Sequence, residues 1–330
     1  MSLKIIRSLA CLFLLSGSIL TLRAQPVNVQ QFQNTQLAQQ MQQPLSASLA
    51  ETNAPELYPG ENLDVGPQRI LRLHPRPNYF NVFFDSQAFY SSDANYAEGA
   101  AAIASPVYVN TIQAAFTPPE WQLGPGKFAA VIGYSSQWYD YGNDRLTSLD
   151  FNAQTAFVSG RYSVGKWQFG LGGNYTRLLD QETDHQTYSE WLPAFTIQRF
   201  FPISQQLLFS VGNQIDYHFT TEPAPPGTYT EINNRFDESV SLTLTWQITR
   251  QLSLQPYYRF QFSNYRYNTL QNSDRNDYLN SYGVTLAYGF NEHFSVRAFF
   301  NANVKNSDDR FVAEYHEYNE GVGANLNFSF

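Results

Sequence analysis

The chain has 330 residues, 16% of them aromatic and 15% charged, with 28 acidic residues against 20 basic ones. This acidity argues against nucleic-acid binding, in which neutralisation of phosphates by basic side chains dominates the affinity. Beyond the first residues, no stretch approaches the roughly 20 apolar residues that a membrane-spanning helix requires, so the sequence excludes a helical membrane protein.

Residues 1–24 have the pattern of a secretory signal peptide. Lys4 and Arg7 form a basic start, Leu9–Leu15 is an apolar core, and Ala24 is suited to the last position before cleavage. We therefore expect an exported protein that loses this segment.

Removal of the signal peptide changes the charge and the redox chemistry of the chain. The only cysteine, Cys11, lies within it, so the mature chain would contain no disulfide and would need another source of stability. Loss of three of the 20 basic residues leaves 17 against 28 acidic residues, a net charge of −11. The sequence has no Cys/His metal cluster and no glycine-rich phosphate loop, so we expect no metal and no cofactor.

Residues 25–77 form a leader rich in glutamine and proline. Eight glutamines crowd residues 30–43, followed by Pro44, Pro55, Pro59 and Pro67. This composition predicts a flexible or extended segment rather than a packed domain, with a short helix over Val29–Gln43 as the alternative. A basic cluster, Arg69–Pro77, ends the leader.

From Tyr79 onward, apolar and polar side chains alternate, and turn signals recur at intervals, which indicates a series of β-strands. For example, Val240 and Leu242 alternate with Ser241 and Thr243. About twelve strands are predicted, and ten to fourteen are allowed. They are centred on 79–90, 106–116, 127–141, 148–162, 166–178, 187–200, 205–219, 234–248, 251–263, 277–290, 293–304 and 313–330.

The last ten residues, 321–330, alternate between two faces of a strand. Val322, Leu326 and Phe330 share an apolar face, and glycine, asparagine and serine occupy the other. This ending resembles the closing strand of bacterial outer-membrane β-barrels, whose C-terminal Phe is read by the assembly machinery. The resemblance covers residues 78–330. It implies an all-β fold, a transmembrane antiparallel up-and-down barrel in the outer membrane, with lipid and the barrel assembly machinery as partners.

Two further patterns agree with this resemblance. The mean hydropathy is −0.38, as expected when half of each spanning strand faces a polar lumen. Short links at 163–165, 202–204, 249–250 and 291–292 alternate with longer polar links at 179–186, 220–233, 264–276 and 305–312.

Outer-membrane barrels have short periplasmic turns and longer outer loops. An even number of strands would place both termini, and hence the leader, on the periplasmic side. A soluble, secreted β-sandwich is the structural alternative.

The polar face of the strands would line the lumen. The lumen-lining candidates are Asp85, Asp150, Gln214, Asp216, His218, Gln255, Tyr257, Arg259, Arg297 and Asn301. These side chains either bind passing solutes across a narrow pore or form a packed polar interior. In the second case, Tyr257 and Arg259 fill space left by Gly283 and Gly289 on the adjacent strand. The basic cluster 69–77 is either a periplasmic collar or a segment that partly plugs the lumen.

Aromatic side chains on the lipid-facing parity, beside the short links, would form a membrane girdle. The predicted girdle residues are Trp167, Trp246, Tyr288, Phe290, Phe328 and Phe330.

The favoured function is a porin-like channel for passive passage of small hydrophilic solutes. A closed structural or binding barrel with a plugged lumen is the alternative, and a hydrolase is a minor one. Asp216-Tyr217-His218 resembles the Asp-x-His pair of omptin-type proteases, but in place of their Asp-x-Asp pair only the adjacent Asp308 and Asp309 are present. The His-x-Ser-Asn-Gly signature of outer-membrane phospholipases is absent. We therefore expect no catalytic residues and no enzyme activity.

Overall fold

The computed structural model describes residues 27–42, 79–222, 231, 233–266, 275–309 and 312–330. Within them it contains one α-helix, α1, Val27–Gln42, and thirteen strands. The strands are β1 Phe80–Ser91, β2 Ser105–Phe116, β3 Trp121–Leu123, β4 Gly126–Tyr141, β5 Phe151–Val164, β6 Trp167–Asp180, β7 Gln186–Pro202, β8 Leu207–Thr221, β9 Arg235–Gln247, β10 Leu252–Tyr265, β11 Asn276–Gly289, β12 Phe294–Ser307 and β13 Tyr315–Ser329. The predicted signal peptide and the basic cluster Arg69–Pro77 lie outside the described residues.

Twelve strands close into an antiparallel barrel. β1 pairs with β2 on one side and with β13 on the other, which joins the two ends of the sheet. The all-β fold, the antiparallel barrel and the number of predicted strands are confirmed. No helix among the described residues is long and apolar enough to span a membrane.

The thirteenth strand, β3, is an addition that the sequence pattern does not predict. It has three residues, too few to show alternation, and pairs with the start of β4 while β2 pairs with β4 directly. Gly124 in the connecting turn has φ +58°, a conformation that favours glycine. Trp121 stacks on Phe128 with ring centroids 5.7 Å apart, so the short hairpin has an aromatic contact of its own.

The strands separate polar and apolar side chains between the inside and the outside of the barrel. On β10, Gln255, Tyr257, Arg259 and Gln261 are at most 8% exposed and face the interior. The outward faces carry exposed, large apolar side chains on almost every strand of the barrel. This distribution follows from the period of two residues along a strand.

α1 lies inside the barrel. Its side chains bond to β4, β7, β9 and β13, which lie on different sides of the closed sheet, near the strand ends that the longer links join. The bonds are Gln36 Nε2 to Gln137 Oε1 at 2.7 Å, Gln33 Nε2 to Glu190 Oε2 at 3.5 Å, Arg235 Nη2 to Gln33 Oε1 at 3.0 Å, and Gln30 Nε2 to the Tyr315 hydroxyl at 2.9 Å. The alternative of a short helix in the leader is thus confirmed. The domain boundaries and the periplasmic position of the leader stay predictions.

One side of the interior is apolar where α1 packs against it. Val29 and Phe32 of α1 are almost fully buried, in one cluster with side chains of β1, β2, β4 to β7 and β12. The Phe32 ring meets Tyr139 edge to face with centroids 6.4 Å apart, and Tyr139 stacks on Phe151 at 4.2 Å. Full burial of a Val or Phe side chain contributes about 1.5–3 kcal/mol, so these contacts hold α1 in the barrel.

The packed-interior interpretation holds at one of its two glycines. Tyr257 lies over Gly283, its cross-strand partner, and a Cβ at Gly283 would collide with the tyrosine ring. At Gly289, by contrast, an added Cβ would meet nothing within 4 Å. The expectation that a large side chain fills the space beside Gly289 is therefore wrong, because Gly289 is the last residue of β11, beyond the strand's packed part.

Candidate functional site

Nine of the ten lumen-lining candidates lie on the inward faces of their strands. They are Asp85, Gln214, Asp216, His218, Gln255, Tyr257, Arg259, Arg297 and Asn301. Gln214 is half-buried, and the other eight side chains are almost fully enclosed. Their role in the passage of solutes stays a prediction.

The prediction that Asp150 lies on a strand is wrong. The sequence places it on a strand, but β5 begins one residue later, because Thr147–Leu149 forms a 3-10 turn. Asp150 accepts a hydrogen bond from the backbone N–H of Tyr141 at 2.8 Å. It therefore ties two strand ends together at the rim, and burial in this turn raises the pKa of its carboxyl.

His218 lies at the centre of the largest charged cluster in the described interior. Its Nδ1 is 2.9 Å from Glu190 Oε2, and its Nε2 is 3.1 Å from Asp216 Oδ1 and 3.0 Å from Asp237 Oδ2. The four side chains come from β7, β8 and β9 and are at most 6% exposed. Strand pairing brings them together: Asp216 is directly opposite Asp237, and His218 directly opposite the first residue of β9, Arg235.

Arg235 connects this cluster to α1. Its Nε is 3.0 Å from both oxygens of Asp237, and its Nη2 donates to Gln33 Oε1. Gln33 in turn donates to Glu190, so one glutamine of α1 bridges an arginine and a carboxylate of the wall. A residue of the helix is thereby part of the charged network of the barrel.

A second group of charges and a further buried carboxyl lie around the wall. Asp277 on β11 contacts Lys305 Nζ at 3.0 Å and Arg275 Nε at 3.0 Å. Glu317 on β13 accepts hydrogen bonds from neighbouring side chains of the wall and, at 3.4 Å, from Asn34 of α1. Side chains of α1 therefore bond to polar groups on β4, β7, β9 and β13.

A cavity of about 100 Å³ remains beside α1. It lies between the helix and the walls, and its lining includes Asp216, His218, Asp237, Arg259 and Lys305. Among the described residues, Arg235 Nη1, Arg259 Nη1 and Asp216 Oδ1 are buried atoms without a hydrogen-bond partner. Residues that line the cavity thus carry both unsatisfied donors and an unsatisfied acceptor.

The predicted girdle residues lie on the outside of the barrel beside the short links. Tyr288 is half-buried, and its hydroxyl donates to Gln251 Oε1 at 2.9 Å. The other five are exposed, with Phe330 the most exposed at 68%. Contact of these six side chains with lipid stays a prediction.

Sequence reasoning misses several charged residues of the interior. These are Glu190, Arg235, Asp237, Asp277 and Lys305. The inward parity could have found Arg235 and Asp237, because both continue the polar face of β9 toward its first residue. Parity does not reveal that they meet His218, because that contact depends on the register between β8 and β9.

No family model and no curated protein sequence matches the chain. Among solved structures, an outer membrane channel from Pseudomonas putida F1 has a TM-score of 0.51 and 9% identity, with 76% of this chain and 96% of that chain covered. The NanC porin has a TM-score of 0.42 and 9% identity over 74% of this chain and 98% of its own. The KdgM porin has a TM-score of 0.39 and 9% identity over 74% and 99%.

These neighbours are a channel and two porins. The Pseudomonas channel shares the architecture over most of both chains. The chain therefore has the fold of an outer-membrane channel, a closed antiparallel barrel of twelve strands with one short extra strand.

Proposed function

We propose that the protein is an outer-membrane channel for small hydrophilic solutes, with α1 as a plug that closes its lumen and moves to open it. The observation that carries the proposal is the position of α1 in a polar barrel interior, where it bonds to opposite walls. Lumenal Asp216, Arg259 and Arg297 then influence which charged solutes pass.

The exterior of the barrel supports the membrane part of the proposal. Exposed apolar side chains on almost every strand, such as Leu171, Ile132 and Val322, suit contact with lipid. The signal-peptide pattern supports export of the protein. The terminal Phe330 supports recognition of the last strand by the assembly machinery.

The interior supports the plug. A helix with its side chains is about 10–12 Å across. Eight-stranded barrels are filled by their own side chains, and barrels of sixteen strands or more are open channels. A twelve-stranded barrel lies between these limits, so a helix in its lumen leaves little free space. Passage of a solute therefore requires α1 to shift or to leave.

A closed structural or binding barrel is the second candidate. This candidate is favoured by the number of contacts that hold α1, namely the apolar contacts of Val29 and Phe32 and hydrogen bonds to four strands, β4, β7, β9 and β13. In that case α1 would never leave the lumen of the intact protein.

Single-channel recording in planar bilayers tests the proposal. We expect the intact mature protein to open intermittently and a variant without residues 25–42 to conduct steadily. Steady conductance of both proteins at the same level would contradict the plug. Folded barrels of both kinds that never conduct would overturn the channel.

Cross-linking separates the gated channel from the permanently plugged barrel. The mature chain contains no cysteine, so Gln36→Cys together with Gln137→Cys offers one pair of thiols to a short bis-maleimide. We expect the linked protein to lose its openings, and Gln36→Cys alone, treated with the same reagent, to keep them. Openings that persist in fully linked protein would show that α1 is not the gate.

A further inference from the structure

We propose that Asp216, His218 and Asp237 form a binding site for a divalent transition-metal ion such as Zn²⁺ inside the barrel. Imidazole nitrogen and carboxylate oxygen are ligands that Zn²⁺ takes in proteins. The proposal is independent of whether the barrel conducts.

The distances fit such a site. His218 Nε2 lies 3.1 Å from Asp216 Oδ1 and 3.0 Å from Asp237 Oδ2, and all three atoms lie within 4.8 Å of one another. Tetrahedral zinc with bonds of roughly 2.0–2.2 Å to nitrogen and oxygen holds neighbouring ligand atoms about 3.3 Å apart. The three side chains are therefore gathered closely enough to hold one ion without a change of backbone.

The other side of the imidazole is arranged as in many metal sites. Glu190 Oε2 lies 2.9 Å from His218 Nδ1. In the tautomer with a proton on Nδ1, the Nδ1–H group donates a hydrogen bond to Glu190, and the lone pair of Nε2 is directed at the ion. Fixing this tautomer is the usual role of a carboxylate behind a metal-binding histidine. Gln214 donates to Asp216 at 2.7 Å and Gln261 donates to Asp237 at 2.8 Å, so both carboxylates are also held in place.

An unsatisfied atom points to a missing ligand. Asp216 Oδ1 is buried and makes no hydrogen bond of acceptable geometry among the described residues, although His218 Nε2 lies only 3.1 Å away. Nε2 carries at most one proton, whereas two carboxylate oxygens face it. Arg235 Nη2 hydrogen-bonds to Gln33 and, at 3.3 Å, to Nε2, and it makes no hydrogen bond to Asp216. An ion on Nε2 would replace the contact between Arg235 and Nε2. An ion in place of the single proton would satisfy both carboxylates.

The charges around the three ligands and their position beside the cavity also favour a bound cation. Asp216 and Asp237 are directly opposite each other on adjacent strands, where like charges repel. With a neutral imidazole, the three carboxylates including Glu190 exceed the charges of Arg235 and Arg259 by one. The three ligands also line the cavity of about 100 Å³, which gives room for an ion and a bound water. A second proton on His218 is the competing occupant, and metal binding would displace it.

Cobalt titration tests the site. The protein used is the full mature chain in detergent with His74, His185, His293 and His316 replaced by alanine, so that His218 is the only histidine. We expect Co²⁺ to produce visible absorption typical of nitrogen and oxygen ligands, saturating at one ion per barrel, and Zn²⁺ to abolish it.

Variants of the single-histidine protein assign the ligands. Glu190→Gln should weaken the binding of Co²⁺ about 10- to 100-fold, the usual loss for a carboxylate behind a ligand, and Asp216→Asn should weaken it further. Asp85→Asn is the matched control, since Asp85 is an equally buried aspartate that pairs with Arg297 elsewhere. Retention of the folded form in unheated detergent gels shows that each variant has folded.

Two results would overturn the metal site. One is a folded single-histidine protein without any cobalt-dependent absorption, which leaves His218 as a protonated imidazolium. The other is unchanged affinity in Asp216→Asn.

Discussion

Individual residues set how charges meet inside this barrel, and Gly323 is the clearest case. Arg297 on β12 pairs with Asp85 on β1 through contacts of 2.6 and 2.8 Å, although β13 runs between those two strands. Arg297 and Gly323 are cross-strand partners, and a Cβ at Gly323 would lie 2.9 Å from Arg297 Cζ. The missing side chain lets the arginine cross β13.

Gly323→Val should therefore displace Arg297 and weaken the ion pair. We expect a loss of about 1–3 kcal/mol in the free energy of unfolding, the usual range for overpacking, measured by urea denaturation of the barrel in lipid vesicles. Gly289→Val is the matched control, because a Cβ there meets nothing within 4 Å, and it should change stability by less than about 0.5 kcal/mol. Equal effects of both substitutions would contradict this role of Gly323.

Glu222, just after β8, is a carboxyl whose surroundings favour its neutral form. Burial raises its pKa to about 6, against an ordinary value of 4.5, although Asn233 donates a hydrogen bond to it. The folded protein thus holds this proton more tightly than the unfolded chain does. The stability that results is complete below pH 4.5 and is lost as the pH rises through about 6.

Glu222→Gln should remove this pH dependence. At pH 7.5 we expect the variant to be more stable than the parent by about 1 kcal/mol, a value reduced for partial exposure, and at pH 4 the two should be alike. The measurement is the temperature at which the folded band disappears in detergent gels. The same substitution at exposed Glu182 serves as the control. A difference that is the same at both pH values would refute the assignment to Glu222.

At the scale of elements, α1 joins two kinds of surface. Val29 and Phe32 pack into the apolar cluster, most of which belongs to β1, β2 and β4 to β7, whereas Gln33 and Asn34 bond to charged side chains of β7, β9 and β13. A helix with this arrangement suits an interior that is apolar on one side and polar on the other. Its apolar contact is small, so a single side chain supplies much of it.

Phe32→Ala should loosen α1 without disturbing the barrel. Loss of a buried phenylalanine costs about 3–5 kcal/mol when the site cannot collapse, and here the cost falls on docking of the helix. We expect a higher open probability in planar bilayers with the same conductance of each opening. Ile203→Ala, in an exposed short link, should leave gating unchanged. An unchanged open probability in Phe32→Ala would argue that the helix stays in place when the channel opens.

At the scale of the whole molecule, the barrel is closed by its first and last strands. β1 pairs with β13 over eleven residue pairs. At the end of this seam, the backbone N–H of Phe330 donates to the carbonyl oxygen of Phe80 at 2.8 Å. The Phe330 side chain itself is 68% exposed and adds little packing within the barrel. Its aromatic ring is thus available to the assembly machinery that we propose as a partner.

Phe330→Ala should separate assembly from stability. The backbone bonds remain, so we expect refolded protein to change in stability by less than about 0.5 kcal/mol, while the amount of folded barrel in cell envelopes falls severalfold. Phe80→Ala removes an exposed ring from the other strand of the same seam and should leave that amount unchanged. A parallel fall in both variants would indicate a general need for apolar surface there.

The sequence by itself determined the strands and the faces they present. Twelve of the thirteen strands follow from alternation, because a period of two is a property of each segment alone. The same parity placed residues such as Arg259 and Asp216 on the inside. β3 was not predicted, because three residues are too few to show a period. Asp150 was predicted on a strand, but it follows a 3-10 turn and lies one residue before the start of β5.

Only the tertiary structure decided which inward side chains meet. His218 finds Glu190 and Asp237 through the register of three strands, and Arg297 reaches Asp85 across Gly323 only because the barrel closes. The position of α1 inside the barrel is likewise invisible in a glutamine-rich segment, whose side chains bond equally well to water. Contacts between distant segments depend on closure of the barrel and on strand register. The alternation along one strand fixes only the face that a residue takes, and not the residue that it meets on the next strand.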